Sequence, residues 1–320
     1  MEMRLSDPSP IDRPAGGTAG RPAISVVIPH LNQPEALGRC LAALMQGQRR
    51  PDEVIVVDNG SEVLPQAICD AHPGVRLLQE AEPGPGPARN RGVAAARGDI
   101  LAFIDADCIA GPGWLATAEA AMRDPTATIL GGSVGIALAD PARPGMVEAY
   151  ESLYAYRMDL YIRRQNFTGT GNLVVRRAAF DAVGPFGGLS IAEDRDWGQR
   201  ATAMGYRIRH VPEMRVLHPA RPDMAALMLK WDRQIAHDFA AVPTRRLGRL
   251  RWALKAAAML VSPLAELPRV ALSRRIRGLR MRALAFAAVV QVRLYRGARM
   301  LWLLAGGDPA RLAGQWNRPQ

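Results

Sequence analysis

Apolar positions in the first hundred residues fall into short runs separated by longer amphipathic stretches. ISVVIP (Ile24 to Pro29), EVIVVD (Glu53 to Asp58), VRLLQ (Val75 to Gln79) and ILAFID (Ile100 to Asp105) are rich in β-branched residues and bounded by turn formers, a pattern that predicts strands. Helices are predicted between them: PEALGRCLAALMQ with Pro34 at the first helical position, Ser61 to Ala71, and PARNRGVAAARG ending on Gly98. Strand alternating with helix predicts an open, mostly parallel α/β sheet covered on both faces, with ligands bound beyond the carboxyl ends of its strands. Farther along, WLATAEAAMR predicts a helix, ATILGGSVGIAL a strand pair or one bent strand, and Gly145 to Arg164 one long helix. AEDRDWGQRATAMGY (Ala192 to Tyr206) predicts a helix opened by Glu193 and Asp194 and closed at Gly205.

The last third follows a different pattern. Between Arg251 and Ala271 the polar residues Arg251, Lys255, Ser262, Glu266 and Arg269 share a narrow arc, with Pro263 and Pro268 placed to kink or break the helix. Between Met281 and Leu304, Arg282, Arg293, Arg296 and Arg299 share one side, opposite Tyr295 and Trp302. Neither segment offers 18 uncharged apolar residues, so a transmembrane span is not expected. A basic face with a broad apolar face suits a helix lying in a membrane interface; packing on the α/β domain or on a second copy is the alternative.

Charge sharpens that contrast. The chain of 320 residues carries +11, but the stretch from Arg221 onward has 19 basic and 5 acidic residues, which leaves the first 220 residues slightly acidic. Only Lys230 and Lys255 among the cations are lysines, a bias that hints at a GC-rich coding sequence. Cys40, Cys69 and Cys108 form neither a disulfide framework nor a zinc pattern and read as reduced thiols. Residues 1–23 are Pro- and Gly-rich without an apolar signal core, so a flexible lead and a cytoplasmic location are expected. The expected organisation is a lead at 1–23, an α/β domain at 24–240 and a basic helical tail at 241–320.

Candidate chemistry gathers at the strand ends. FIDADC sets Asp105 and Asp107 two residues apart after a buried run, a pair able to address one hard divalent cation, Mg²⁺ or Mn²⁺, or else simply to cap a strand and start a turn. GPGPARNRG (Gly84 to Gly92) runs a Gly/Pro loop into a helix start with Arg89, suited to phosphate or merely to a helix start. Asp58 in VVDNGS could accept from a base or ribose, and His218 after MRVL could ligate a metal or end a strand without function.

Taken in order, VVIPHLNQ, VVDNGS, PARN, DAD, TGTGNLVVRR and AED resemble the family-2 glycosyltransferases over Ile24 to about Asp238. The resemblance implies a GT-A-like fold: a mostly parallel central sheet with flanking helices, its first half Rossmann-like and nucleotide-binding, here followed by an α-helical C-terminal region. It implies an inverting, metal-dependent enzyme that moves one sugar from a nucleotide-sugar. Pro29 and Asn32 match the opening onto the nucleotide, Asp58 the nucleobase contact, Arg89 the nucleotide-side loop and Asp105 the ribose-side member of the DxD pair. Asp107 matches the metal ligand, with His218 as a further one, Asp194 the catalytic base with Glu193 beside it, and Gly171 and Asn172 the acceptor side.

Two departures matter. HLN replaces the commoner threonine-tyrosine-asparagine, removing an aromatic for base stacking, and the QxxRW signature is absent, GRLRW (Gly248 to Trp252) lacking the Gln, which favours single-sugar transfer. The expected partners are a nucleotide-sugar, a UDP-sugar first, a saccharide or lipid-linked acceptor for cell-surface polysaccharide or glycolipid, and the anionic inner face of a bacterial plasma membrane. A sugar-phosphate nucleotidyltransferase would share sheet and metal but opens with a Gly-rich loop that VVIPHLNQ lacks. A nucleic-acid-binding protein would interleave aromatic and basic residues on a reader motif, and none is present, so nucleic acid is not expected.

Overall fold

The computed structural model describes residues 21–189, 191–241 and 246–313; most of the expected lead, with 242–245 and 314–320, lies outside the described residues. In chain order the elements are β1 (Ile24–His30), α1 (Pro34–Met45), β2 (Glu53–Asp58), α2 (Gln66–Asp70), β3 (Val75–Gln79), α3 (Pro85–Ala95), β4 (Ile100–Phe103), β5 (Ile109–Ala110), α4 (Trp114–Ala121) and β6 (Ile129–Ala137). They continue as α5 (Met146–Tyr154), α6 (Met158–Gln165), β7 (Leu173–Arg176), α7 (Arg177–Val183), α8 (Glu193–Ala203), β8 (Ile208–Pro219), α9 (Met224–Ala240), α10 (Arg246–Val261), α11 (Leu267–Leu272), α12 (Leu279–Leu304) and α13 (Ala310–Ala313). The chain divides into two compact units, one holding the residues up to Val134 with Arg157–Leu217, the other Gly135–Tyr156 with the residues from His218 onward.

The first unit is built on a sheet of order β3-β2-β1-β4-β7-β6-β8-β5. β1, β2, β3 and β4 run parallel, whereas β7 is antiparallel to β4 and β6, and β5 is antiparallel to β8. The mostly parallel sheet of the sequence reading therefore holds for the first half and turns mixed in the second. LVVR, too short and too close to Gly/Thr turn signals to stand out, supplies the strand that turns it. Period-2 alternation splits β1 between two cores: Ile24, Val26 and Ile28 face α1 and α4 with Leu37, Leu41 and Trp114, while Val27 faces α7 and α8 with Phe180 and Trp197. Burial on both sides explains why these strands read as unbroken apolar runs.

Two predicted elements differ, and a third settles on one of its two alternatives. The helix expected from Ser61 starts only after Pro65, which caps it. The long helix expected from Gly145 to Arg164 is two, because Ala155 is extended and Tyr156 sits at φ 50°. ATILGGSVGIAL resolves into one strand, β6.

The second unit is helical. Val147 and Tyr150 of α5 pack with Leu227 of α9 and Ala288, Val289 and Val292 of α12, and Ala149 and Leu153 pack with Val270, Ile276 and Ala285. α5 thus belongs with the C-terminal helices, so the division does not follow the expected line at residue 240. α10 approaches α12 closely at Gly297, where a Cβ would stand 2.7 Å from Leu260 Cγ. The arginine side of α12 is turned inward rather than to solvent: Arg293 pairs with Glu266 at 2.6 Å, Arg299 with Asp232 at 3.2 Å, and Arg282 donates to carbonyls at the end of α11. Glu266, expected on an exposed polar arc, is buried and also accepts from Tyr154 at 2.7 Å. No described helix is long and apolar enough to cross a membrane.

Candidate active site

The carboxyl ends of β1 and β2 lie side by side, with His30 in register with Asp58. Both are buried, and His30 Nδ1 is 2.9 Å from Asp58 Oδ1. The Gln33 N–H points at His30 Nε2 from 3.2 Å, which makes Nδ1 the protonated nitrogen and the donor to Asp58. Asp58 Oδ2 accepts from the backbone N–H groups of Gly60 and Ser61. Burial works to raise the Asp58 pKa, but the hydrogen bonds from Ser61 and His30 outweigh it and hold the carboxyl below its usual range. Asn32, at φ 51°, donates its N–H to Ser61 Oγ at 2.8 Å and accepts from Glu62 N–H at 2.9 Å, closing the rim beside half-buried Pro29.

Asn59 ties this corner to the next. Its side chain donates to the carbonyls of Glu80 and Glu82 and accepts from Gly84 N–H at 2.6 Å, which sets the loop that enters α3. Gly84 is at φ 127°, a conformation that favours glycine, and Pro85 then starts the helix. One turn in, Arg89 is 3% exposed and bridges two carboxylates: Nη2 to Asp105 Oδ1 at 2.6 Å and Nη1 to Glu193 Oε1 at 3.0 Å. Asn90 exchanges two hydrogen bonds of 2.9 Å with the backbone of Phe186, which fastens α3 to the segment leading into α8.

β4 ends at Phe103, and Asp105 to Cys108 form a turn closed by Cys108 N–H to the Asp105 carbonyl at 3.0 Å. The aspartates are therefore corners of a turn, both half-buried, rather than extended strand residues. Burial first, then the charges of Asp105 and Asp107, push the Cys40 and Cys108 thiols up, so they stay protonated.

Glu193 and Asp194 open α8, which Trp197 anchors in the core and Gly198 seats against the backbone of Phe167, where a Cβ would lie 2.7 Å from its Cα. Asp194 Oδ1 accepts from Arg195 N–H at 2.7 Å. Burial and then the neighbouring charge of Glu193 push its pKa up to about 6, with Arg89 pulling the other way. Asp105 and Glu193 thus share the guanidinium of Arg89, Asp194 feels its charge, and the acidic excess at this mouth suits a cation. Hard carboxylate oxygens on half-buried Asp105 and Asp107 fit Mg²⁺ or Mn²⁺.

The remaining expected residues are distributed differently. Asn172 is fully buried: Oδ1 accepts from Trp114 Nε1 at 2.8 Å, and the amide donates to the carbonyls of Ser133 and Met214. It is a strut of the sheet rather than a surface for an acceptor. Gly171 does stand at the site, since a Cβ there would lie 2.6 Å from Asp105 Oδ2. His218, at the end of β8, donates Nδ1–H to the Pro219 carbonyl at 2.7 Å, which leaves the lone pair on Nε2, the tautomer of a metal-binding imidazole. Leu217 before it pairs with Ile109 across the ladder.

The sequence model described as glycosyl transferase family 2 matches residues 25–184, half of the chain. The chain belongs to this family. Glycosyltransferase AglE of Haloferax volcanii is 34% identical over 214 residues, spanning 64% of this chain and 69% of that protein. The pre-mycofactocin glycosyltransferase of Mycobacterium tuberculosis is 31% identical over 224 residues, 66% of this chain but only 46% of the relative's length. Among solved structures, the mannosyltransferase PcManGT from Pyrobaculum calidifontis, in complex with GDP-Man and Mn²⁺, superposes with a TM-score of 0.54 at 19% identity, covering 91% of this chain and 89% of its own. The fold is GT-A-like, and the protein is a glycosyltransferase.

Two features of this glycosyltransferase escaped the sequence reading. His30 as the partner of Asp58 could have been found from their equal distance to the ends of adjacent parallel strands. The tight fit of Gly171 on Asp105 left no local signal, because 66 residues separate them. Gly171→Ala is expected to cost about 1–3 kcal/mol in stability or to displace Asp105, weakening nucleotide binding several-fold while circular dichroism stays native; titrating a nucleoside diphosphate against the variant checks this.

Proposed function

We propose that the chain transfers one sugar, with inversion at the anomeric carbon, from a nucleoside-diphosphate sugar to a hydroxyl of a saccharide or lipid-linked acceptor in the assembly of a bacterial surface polysaccharide or glycolipid. The observation that carries this reading is the bridge from Arg89 to Asp105 and Glu193, which brings the DxD turn and the start of α8 to one place. Asp194 has a pKa suited to taking a proton from an acceptor hydroxyl near neutral pH. Asp58 and Asn32 would receive the nucleobase, Asp105 the ribose side, and Arg89 would hold Asp105 in place while lending positive charge toward the departing diphosphate. Asp107 would hold Mg²⁺ or Mn²⁺. The bound ion would neutralise charge that develops on the leaving group.

A peripheral position on the cytoplasmic face of the plasma membrane fits the outer surface of α10. Leu247, Leu250, Leu254, Val261 and, just beyond it, Leu264 recur at helical spacing and are 56% to 72% exposed, opposite buried Trp252, Ala256 and Met259. Arg251 and Lys255 interleave with them, so an anionic leaflet would receive both. The sequence expectation set both tail segments in the membrane interface; the α12 residues Arg293 and Arg299 pair with Glu266 and Asp232 instead.

The donor site is tested by thermal unfolding with UDP, GDP, dTDP or CMP, with and without Mn²⁺. GDP enters the panel because PcManGT carries GDP-Man, and UDP remains the first candidate. One nucleotide is expected to raise Tm by a few degrees only with metal present, the stabilisation of about 2.7 kcal/mol that a hundredfold excess over Kd gives. Asp107→Ala is expected to remove that metal-dependent part. An unchanged response in the variant would rule out Asp107 as the ligand, and silence from all four nucleotides would overturn the donor reading.

A further inference from the structure

In the helical unit, Lys230 of α9 and Arg296 of α12 are half-buried cations without a carboxylate partner among the described residues. Both gather on Trp231: Arg296 Cζ lies 3.8 Å and Lys230 Nζ 5.5 Å from the ring centroid. The acids whose charge reaches them are engaged elsewhere: Arg221 takes both oxygens of buried Glu151, which acts on Lys230, Oε2 through its backbone N–H at 3.0 Å and Oε1 through its guanidinium, and Asp238, which acts on Arg296, pairs with Lys255 at 3.7 Å. Arg296 Nε is buried and meets no acceptor. Elsewhere in this unit buried charges are matched, Glu266 by Arg269 and Arg293, and Asp232 by Arg299. Half-burying two cations against an indole, with Arg221 adding a third nearby charge, is unfavourable unless an anion completes the group.

We propose that Lys230 and Arg296, ranged beside Trp231, form a binding site for a phosphate group, carried either by a phospholipid headgroup or by free phosphate. A phosphate monoester supplies up to two negative charges for two uncompensated cations. The guanidinium offers it a planar fork with the orphaned Nε–H, and the ammonium acts as a point charge. A carboxylate would leave one cation unmatched. The strain shows in Lys230 itself, whose pKa is brought down to about 8 by burial and then by Arg221, against the pull of Glu151. This site is independent of the donor and acceptor assignments made above.

The full chain is followed by thermal unfolding at matched ionic strength in chloride, in inorganic phosphate, and with monomeric dioctanoyl phosphatidic acid or dioctanoyl phosphatidylcholine. Phosphate or the phosphatidic acid is expected to raise Tm by several degrees, while the phosphatidylcholine does not. A response to both assigns the site to the phosphate group itself; a response to the phosphatidic acid alone assigns it to a lipid headgroup. Lys230→Met is expected to unfold at a higher temperature than the native protein without phosphate, because an unpaired cation is gone, and to bind the anion at least about tenfold more weakly, a factor of ten being 1.4 kcal/mol. Arg296→Met is expected to weaken the anion similarly and provides the second test. The proposal is overturned if the native protein responds to neither anion, or if both variants respond as the native protein does.

Discussion

Asp194→Asn is expected to lower kcat by about 10³-fold while nucleotide affinity stays within about twofold, since a positioned general base contributes roughly 10²–10⁴. The amide keeps the size and the hydrogen bond from Arg195 N–H but cannot take a proton. Single-turnover transfer alongside nucleotide titration separates the two effects, and an equal loss in both would refute the role. The pKa near 6 adds a signature: kcat/KM should fall on the acid side with an apparent pKa near 6, as protonation removes the base. Stability should move the other way. A carboxyl whose folded pKa is raised above its unfolded value holds its proton more tightly when folded, so stability is full at low pH and declines as pH rises from about 4 to about 6. Asp194→Asn should therefore match the native Tm near pH 4 and exceed it at pH 7.5, by the equivalent of about 1 kcal/mol once solvent screening of this partly exposed group is allowed for.

Arg89→Ala should act on fold and chemistry together. The guanidinium is 3% exposed and joins Asp105 to Glu193, so its removal leaves two carboxylates facing each other over a void beside Asp194. Breaking a buried pair in this way costs about 3–5 kcal/mol, measurable as a lower midpoint in urea. Arg89 also pulls the Asp194 pKa down, so in the variant that still folds the acid limb of the pH profile should move upward. Arg89→Lys offers a gentler comparison: the charge remains, but an ammonium cannot span both carboxylates in the fixed fork of a guanidinium. It should fold and lose most of the activity. Native stability together with a native pH profile in Arg89→Ala would show that the bridge has no part in the site.

β1, β2 and β4 were legible because their apolar runs are buried on both faces, and the edge strand β3 because VRLLQ is bounded by turn formers. β7 was not, since four residues next to glycines and threonines give no period to detect. The tail shows the same limit in another form. Its amphipathic arcs were visible, but an arc does not say which side faces protein: the arginines of α12 turn to Glu266 and Asp232, and the leucines of α10 turn outward.

By itself the sequence determined the family, the ordered motifs and the parallel first half of the sheet, all of which depend on residue type and short spacing. Only the tertiary structure decided that His30 donates to Asp58, that Gly171 makes room for Asp105, that Arg89 bridges Asp105 and Glu193, and that Asn172 is a strut. These are contacts between residues 16 to 104 positions apart, and a carboxylate's pKa or a cation's want of a partner depends on what the fold brings near it rather than on what precedes it in the chain.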